Sequence, residues 1–197
     1  MRSEAILRLE DGEKLIVTKD RGYDKGRNVI MDAEQKKTAL RMIPYGLYVL
    51  TAQDKSGART AATVNWVTQT SFEPPQVVVG VKADSHAKTV IGASGSFALN
   101  FLGKGQEGIA YAFFKSVESD GQQIGGQPYR VGTTGAPILE GTPAYVECRV
   151  VETIEKGDHA IVVGEVVEAG VAQQPEGRPD DAILWLKELG PRVFYGG

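Results

Sequence analysis

The chain has 197 residues, of which 42% are hydrophobic and 24% are charged, and this length and composition are typical of one large globular domain. The formal net charge is −3 and no basic tract occurs, so neither a nucleic acid nor an anionic membrane surface is expected as the main partner. No apolar run approaches the ~18 residues of a membrane span and the N-terminus lacks the apolar stretch of a secretory signal, so the expected location is the cytoplasm.

The first predicted elements are a short hairpin and a helix. The segment "LEDGEKLIVTK" reads as a strand or hairpin that turns at its Asp-Gly pair. The segment "MDAEQKKTALRMIPYG" predicts a helix that Asp32 caps, with Gln35 at the capping-box spacing, and that Pro44 ends. Its apolar stripe is formed by Ala39, Leu40 and Ile43. We therefore divide the chain into an N-terminal extension, residues 1–31, and a main domain, residues 32–197.

The main domain alternates mostly between strands and turns. Strands are predicted for "LYVLTAQ", "RTAATVNW", "QVVVGVK" and "SFALNFLG", because β-branched and aromatic residues recur between turn residues. A short helix, "SHAKTVIGASG", should end at Gly95, and "EGIAYAFFKS" predicts another. After the turn-rich residues 119–142, "AYVECRVVETI" and "AIVVGEVVEAGVA" predict a long hairpin joined through "EKGDH". Tight turns join neighbouring strands more often than helices do, which favours an antiparallel barrel over a parallel doubly wound sheet.

One motif points to a different fold. The segment "GKGQEG" at residues 103–108 matches the dinucleotide fingerprint G-x-G-x-x-G, follows a predicted strand and precedes a predicted helix. Asp120 lies at about the right distance for a ribose contact. That acidic residue should end a second parallel strand, however, and "SVESDGQQIGG" around it reads as a loop. We therefore interpret the motif as a flexible connection before a helix.

The chain has only one cysteine and two histidines, too few for a disulfide framework or a metal site built from these residues. Cys148 alternates with Val146 and Val150, which predicts an unreactive thiol in the core. His159 follows the hairpin turn, where a bond that stabilises the turn and a role in a site both stay open. His86 stands in "DSHAKT", where contact with an anion and simple solvation stay open as well. No acid–base or nucleophile–histidine pair is suggested, so the catalytic residues stay unknown.

The segment "ATVNWVTQTSFEPPQVVVGV" is unusually polar for a stretch between apolar runs. Its Thr, its Asn two residues later and its Ser-x-x-Pro-Pro before a β-branched strand resemble the flavin reductase-like FMN-binding split-barrel family. In the same order as in that family, "YGLYVLTA", "GSFALNFL", "TGAPILEGTPAYVECRVVE" and "GDHAIVVGEVVEAGV" also resemble family segments. The resemblance covers residues 32–172, and it is greatest to flavoredoxin-like members and to the flavin reductase modules of rubredoxin and flavodiiron proteins.

The resemblance implies a mainly β fold, an antiparallel split β-barrel of Greek-key type with short peripheral helices. It implies FMN as the cofactor and a homodimer with the cofactor at the subunit interface. The strand "TVNW" and the turn "TQTSFEPP" would contact the flavin, and "VKADSHAKT" would hold the phosphate at a helix N-terminus. The implied cofactor-binding residues are Thr63, Val64, Asn65, Trp66, Thr70, Ser71, Lys82, Ser85, His86, Lys88 and Thr89.

Structural explanations of the same residues stay open. The hydroxyl-rich turn could bond to itself, and the helix start could be a solvated cap with two ordinary lysines. The C-terminal "FYGG" resembles the Tyr-Gly-Gly end of family members, which would reach the flavin edge, and it could equally be a loose terminus.

The resemblance implies an NAD(P)H-dependent flavin reductase, in which bound FMN takes a hydride from NADH or NADPH and passes electrons to free flavin or another acceptor. The alternative is an FMN electron-transfer protein, flavoredoxin-like, that works with a protein redox partner and does not oxidise NAD(P)H directly. A third interpretation is a split-barrel binding protein that uses no flavin.

Overall fold

The computed structural model describes the chain from residue 31 to residue 196, apart from residues 116 and 118, together with two strands at residues 5–8 and 14–17. The chain divides into two compact units between Leu40 and Arg41. Within this described part, no helix is both long and apolar enough to cross a bilayer.

The first unit contains a hairpin and most of the first helix. Strand β1, Ala5–Arg8, pairs antiparallel with β2, Lys14–Val17, and the residues that turn between them lie outside the described ones. Helix α1, Ala33–Arg41, begins after Asp32, whose Oδ1 accepts a 2.8 Å hydrogen bond from the N–H of Gln35, as predicted. The predicted apolar stripe of α1 is not buried within the described chain. Whether residues 1–31 form an extension stays a prediction.

The second unit is mainly β. Its strands are β3 (Tyr48–Gln53), β4 (Arg59–Val64), β5 (Val67–Phe72), β6 (Pro75–Lys82), β7 (Ser96–Phe101), β8 (Gln123–Ile124), β9 (Gln127–Val131), β10 (Pro137–Leu139), β11 (Ala144–Glu155) and β12 (His159–Val171). Its α-helices are α2 (His86–Ser94) and α3 (Glu107–Ala112), and short 3₁₀ helices follow at Pro179–Asp181 and Leu186–Leu189.

Seven strands form one antiparallel sheet in the order β4-β3-β7-β11-β12-β6-β5. The edge strands β4 and β5 follow one another in the chain with only Asn65 and Trp66 between them. Because two residues cannot span a flat sheet of seven strands, the sheet must curl until its edges meet. The N–H of Gly80 in β6 donates a 2.8 Å hydrogen bond to the carbonyl of Trp66 at this junction. The predicted antiparallel split barrel is therefore confirmed, and the parallel doubly wound sheet is excluded.

The barrel is filled by alternate residues of its strands and closed by α2. Leu50, Val79, Phe97 and Val162 are buried inside it, together with residues of α2. As predicted, α2 ends at Gly95, which adopts the left-handed conformation (φ 69°) that glycine tolerates best. The neighbours of the interior residues, such as Val49 beside Leu50, face outward because successive side chains of a strand point to opposite faces.

Cys148 lies in the barrel core and is fully buried. Burial raises the pKa of its thiol to about 12, with the nearby charge of Glu147 acting in the same direction. An added Cβ at Gly164 on the neighbouring strand would come within 2.8 Å of the Cys148 Cβ and 2.6 Å of the Phe97 ring, so this part of the core is tightly packed. A thiol that stays protonated and enclosed agrees with the predicted lack of reactivity.

A second apolar cluster lies on the outer face of β3 and receives the C-terminal region. The N–H of Leu47 donates to the carbonyl of Leu184, and the N–H of Leu184 donates to the carbonyl of Leu102, at 2.9 and 2.7 Å. Leu184, Leu186 and Leu189 are buried in this cluster. The backbone bonds therefore bring residues 182–189 back along the barrel, and they set the position of the last residues.

Two local predictions differ from the structure. The predicted turn "TQTSFEPP" is mostly strand β5, and the turn itself is limited to Glu73 and Pro74. The turn-rich segment 119–142 contains the short strands β8, β9 and β10. Ladder pairing of neighbouring strands, which a local pattern does not show, accounts for both differences. The fingerprint-like motif, by contrast, leads into the predicted helix, α3, within an antiparallel fold.

Candidate functional site

A cavity of about 450 Å³ lies where the end of β4 meets β6, the start of α2 and the C-terminal residues. This volume is within the range of sites that bind small molecules. Phe113 and Phe114, which follow α3, form an apolar wall, and Phe194 and Tyr195 form another. Lys82 and the residues that lead into α2 add polar groups at one end. The cavity thus combines aromatic walls with a cationic end.

Five of the predicted cofactor-binding residues line this cavity, namely Thr63, Val64, Asn65, Lys82 and Ser85. The other six, Trp66, Thr70, Ser71, His86, Lys88 and Thr89, are not part of its wall. The structure therefore brings together the end of β4 and the residues before α2, although 17 positions separate Asn65 from Lys82 in sequence. The predicted residues of β5, Thr70 and Ser71, lie outside the cavity wall.

The polar residues of β4 and β5 divide into two groups. Asn65 is buried, and its Nδ2 donates to the carbonyl of Tyr195 at 3.4 Å. The hydroxyl of Thr63 donates to the carbonyl of Ala110 at 2.8 Å, which holds α3 against β4. In β5, by contrast, exposed side chains bond within the strand, as when Gln69 Nε2 donates to the Ser71 carbonyl at 3.1 Å. The polar residues of β5 thus bond within their own segment, which is the structural explanation that the sequence left open. Thr63 and Asn65, in contrast, shape the cavity.

Trp66 lies beside the cavity and beneath the C-terminal residues. Its ring packs on Gly80, where an added Cβ would come within 2.9 Å of the ring, so only glycine leaves it room. The ring centroid of Trp66 is 4.5 Å from that of His159 and 5.4 Å from that of Tyr195. The indole Nε1 is buried and has no hydrogen-bond partner among the described residues. An unpaired buried donor of this kind costs free energy, and buried donors ordinarily have a partner.

The start of α2 forms the cationic end of the cavity. Ser85 caps the helix, because its Oγ accepts from the Lys88 N–H at 3.2 Å and donates to the Lys82 carbonyl at 2.7 Å. Helix N-termini attract anions through free N–H groups and the helix dipole. Lys82 pairs with Asp84 at 3.0 Å, and this hydrogen bond and charge raise the pKa of Lys82, so the lysine is cationic at neutral pH.

The other predicted phosphate ligands make contacts elsewhere. Lys88 forms an ion pair with Glu155 of β11. His86 Nε2 lies 3.2 Å from the carbonyl of Arg59, and Thr89 donates its hydroxyl to the Ser85 carbonyl at 3.4 Å. Lys82 is therefore the lysine that the structure places at the cavity, rather than Lys88.

His159 and Tyr195 join the site although neither was assigned to it from the sequence. His159 Nδ1 lies 2.9 Å from Asp158 Oδ1, and its Nε2 lies 2.7 Å from the hydroxyl of Tyr195. The hydrogen bond with His159 lowers the pKa of Asp158, and burial raises the pKa of Tyr195. The histidine thus makes the expected turn bond and also holds a residue of the cavity wall. The available signals were "GDH" and "FYGG", which are 35 positions apart at their nearest and carry no local sign of contact.

Within the described residues, no three His, Cys, Asp or Glu side chains lie close enough together to hold a metal ion. The chemistry of the cavity therefore has to be judged from its aromatic walls and its cationic end.

The sequence matches a known family over most of its length. The family described as flavin reductase like domain matches residues 40–190. The flavin reductase of Pseudomonas putida is 30% identical over 167 residues, which cover 85% of this chain and 91% of that protein. Diflavin flavoprotein A 1 of Synechocystis sp. is 33% identical over 162 residues, which cover 77% of this chain but 28% of that much longer protein.

Solved structures agree with this match. The NADH:FAD oxidoreductase SgcE6 of Streptomyces globisporus C-1027 has a TM-score of 0.58 and 30% identity, over 66% of this chain and 76% of that one. The FMN-binding protein from Thermus thermophilus has a TM-score of 0.59 and 25% identity, over 66% of this chain and 74% of that one. With the family matched over residues 40–190 and the split barrel present, this chain belongs to the flavin reductase like domain family.

Proposed function

We propose that this protein is an NAD(P)H-dependent flavin reductase that binds FMN. In this proposal a hydride passes from NADH or NADPH to bound FMN, and the electrons pass on to free flavin or another acceptor. The observation that carries it is the cavity, which joins aromatic walls to a cationic helix start within a flavin reductase fold. The names of the relatives, a flavin reductase and an NADH:FAD oxidoreductase, support the same reaction class.

The residues of the cavity fit a flavin mononucleotide. Phe113 and Phe114 would present an apolar wall to the ring system. Lys82 and the start of α2 would hold the phosphate, which carries close to two negative charges near neutral pH. FMN is proposed over FAD because the anion-binding groups lie at one end of a cavity of about 450 Å³, and because a Thermus relative is an FMN-binding protein.

The flavin supplies the hydride chemistry when it is bound, so the protein has to bind and orient it. Asn65 and Thr63 fix the two sides of the cavity by bonding to the C-terminal residues and to α3. His159 holds Tyr195 at the cavity wall.

Anaerobic mixing with a reduced nicotinamide tests the proposed reaction. The FMN-loaded protein should lose its yellow flavin absorption on mixing with NADH, with NADPH or with both, far faster than free FMN does under the same conditions. Bleaching only when a reduced protein partner is added would instead indicate an electron-transfer protein. A chain that takes up no flavin would indicate a binding protein of a third kind.

We further propose a homodimer with the flavin near the subunit interface, in the cytoplasm, where NADH and NADPH are available. Val151 and Ile161 on the long hairpin are 48% and 46% exposed, and the partner subunit of the proposed dimer would cover them. An obligate interface of this type buries about 2,000 Å² or more. Light scattering of the FMN-loaded protein should give twice the 21.2 kDa chain mass, and a monomer mass at micromolar concentration would contradict the dimer.

A further inference from the structure

We propose that residues 193–196, here called the C-terminal strap, close the flavin cavity, and that Arg41 is the positioning residue that keeps the strap closed. Opening of the strap would then limit the exchange of bound flavin. The inference rests on the proposed function, because it takes the ligand of the cavity to be a flavin.

The strap forms part of the cavity wall. Val193, Phe194 and Tyr195 all line the cavity. The strap begins directly after the turn in which the N–H of Val193 donates to the carbonyl of Gly190 at 3.1 Å. Most other residues of the wall belong to strands of the barrel, to a helix or to the outer core, while Phe114 is an exposed residue that follows α3. The strap is thus a wall that can move without breaking the barrel.

Two anchors hold the middle of the strap at Tyr195. Its carbonyl accepts from Asn65 Nδ2 at 3.4 Å, and its hydroxyl lies 2.7 Å from His159 Nε2. Asn65 joins β4 to β5, and His159 begins β12, so both anchors sit on the rigid barrel. The middle of the strap is therefore tied to the cavity rim rather than left free.

Arg41 holds the last part of the strap from outside. Its Nε donates to the carbonyl of Gly196 at 3.3 Å, and its guanidinium carbon lies 4.4 Å from the centroid of the Phe194 ring. The first distance is slightly longer than that of a typical hydrogen bond, and the second is within the range of a cation–π contact. Arg41 itself is exposed and is not part of the cavity wall. It can affect a ligand only through the strap.

The strap is held weakly enough to open. Phe194 and Tyr195 remain 52% and 48% exposed, so few of their atoms are packed. Segments with little buried surface open locally at a small fraction of the free energy of global unfolding. A closed strap would shield the flavin edge, and opening would release it, while the paired strands of the barrel stay in place.

The test measures flavin release from the Arg41→Gln variant of this chain. FMN-loaded protein is diluted in a stopped-flow instrument, and the fluorescence of the freed flavin gives the dissociation rate. Loss of the two Arg41 contacts should speed release about 3- to 10-fold. Arg192→Gln is the matched control, because Arg192 is exposed, adjoins the strap and is not part of the cavity wall, and its release rate should stay at the wild-type value.

A second measurement follows the strap directly. Carboxypeptidase should remove the C-terminal residues faster from Arg41→Gln than from Arg192→Gln, and bound FMN should slow the digestion of the wild-type protein. Equal release and equal digestion in both variants, with FMN still bound, would overturn the strap and leave the proposed function intact. A wild-type protein that binds no flavin would overturn the proposed function, and this role of the strap with it.

Discussion

Replacing Glu147 with alanine should lower the free energy of unfolding by about 2–4 kcal/mol. Glu147 is 1% exposed, although it is a carboxylate. Its Oε1 accepts from the Thr133 N–H at 3.0 Å, and its Oε2 accepts from the N–H and the hydroxyl of Thr134 at 2.7 and 2.6 Å. Alanine would remove all three bonds, leave donors without partners and open a small void, and each of these effects destabilises the folded state.

The bonds of Glu147 fasten a turn to the barrel. Gly132 lies so close to the carboxylate that an added Cβ would come within 2.6 Å of both of its oxygens. The same turn is otherwise attached through Ser96 Oγ, which donates to the Thr134 carbonyl at 3.4 Å. Loss of the carboxylate should therefore loosen residues 132–136 first, and the neighbouring Ala136 and Ile138 pack in a small satellite core.

Thermal unfolding and urea titration measure the effect of Glu147→Ala. For a chain of this size the midpoint should fall by about 5–15 °C. Glu152→Ala is the control, because Glu152 is an exposed residue of the same strand and its loss should change the free energy by less than about 0.5 kcal/mol. If both variants unfold like the wild type, the carboxylate does not hold the turn.

Glu147 also shows where prediction from the sequence ends. Local signals identified α2 correctly, since Ser85 and Gly95 mark its two ends within the chain segment that forms it. The long hairpin was also predicted correctly from local signals, because its turn lies between two runs that are typical of strands. The partners of Glu147 are 13 and 14 positions away, in a segment that reads as loop. In sequence Glu147 is one polar residue in an apolar run, and only the fold shows what it bonds to.

The same limit applies to the candidate site. Thr63 and Asn65 could be predicted because a strand carried polar groups without an evident purpose. His159 and Tyr195 could not be placed together, because their contact depends on the barrel closing and on the C-terminal region returning along it. The choice between Lys82 and Lys88 was also out of reach, since it depends on Glu155, which lies on a strand that reaches α2 only in the folded protein.

Lys82→Ala should weaken FMN binding about 10- to 30-fold. Lys82 lines the cavity at the start of α2, while Lys88 is paired with Glu155 outside the cavity wall. The lost contact is a charge-assisted hydrogen bond, and the expected effect lies at the low end for such bonds because the Lys82 side chain is 60% exposed and solvent screens its charge.

The contrast between two ligands and two lysines identifies the phosphate site. Riboflavin lacks the phosphate, so its affinity for Lys82→Ala should stay within about twofold of wild type, whereas a misfolded variant would lose both ligands. Lys88→Ala is the matched control, because it removes the same charge from the neighbouring helix without touching the cavity, and its FMN affinity should change little. Fluorescence titrations at one fixed salt concentration measure all six affinities, since salt screens exposed charges.

Equal weakening of FMN and riboflavin by Lys82→Ala would mean that the lysine supports the structure only. Weakening by Lys88→Ala alone would mean that the lysine leaves Glu155 for the phosphate when flavin binds.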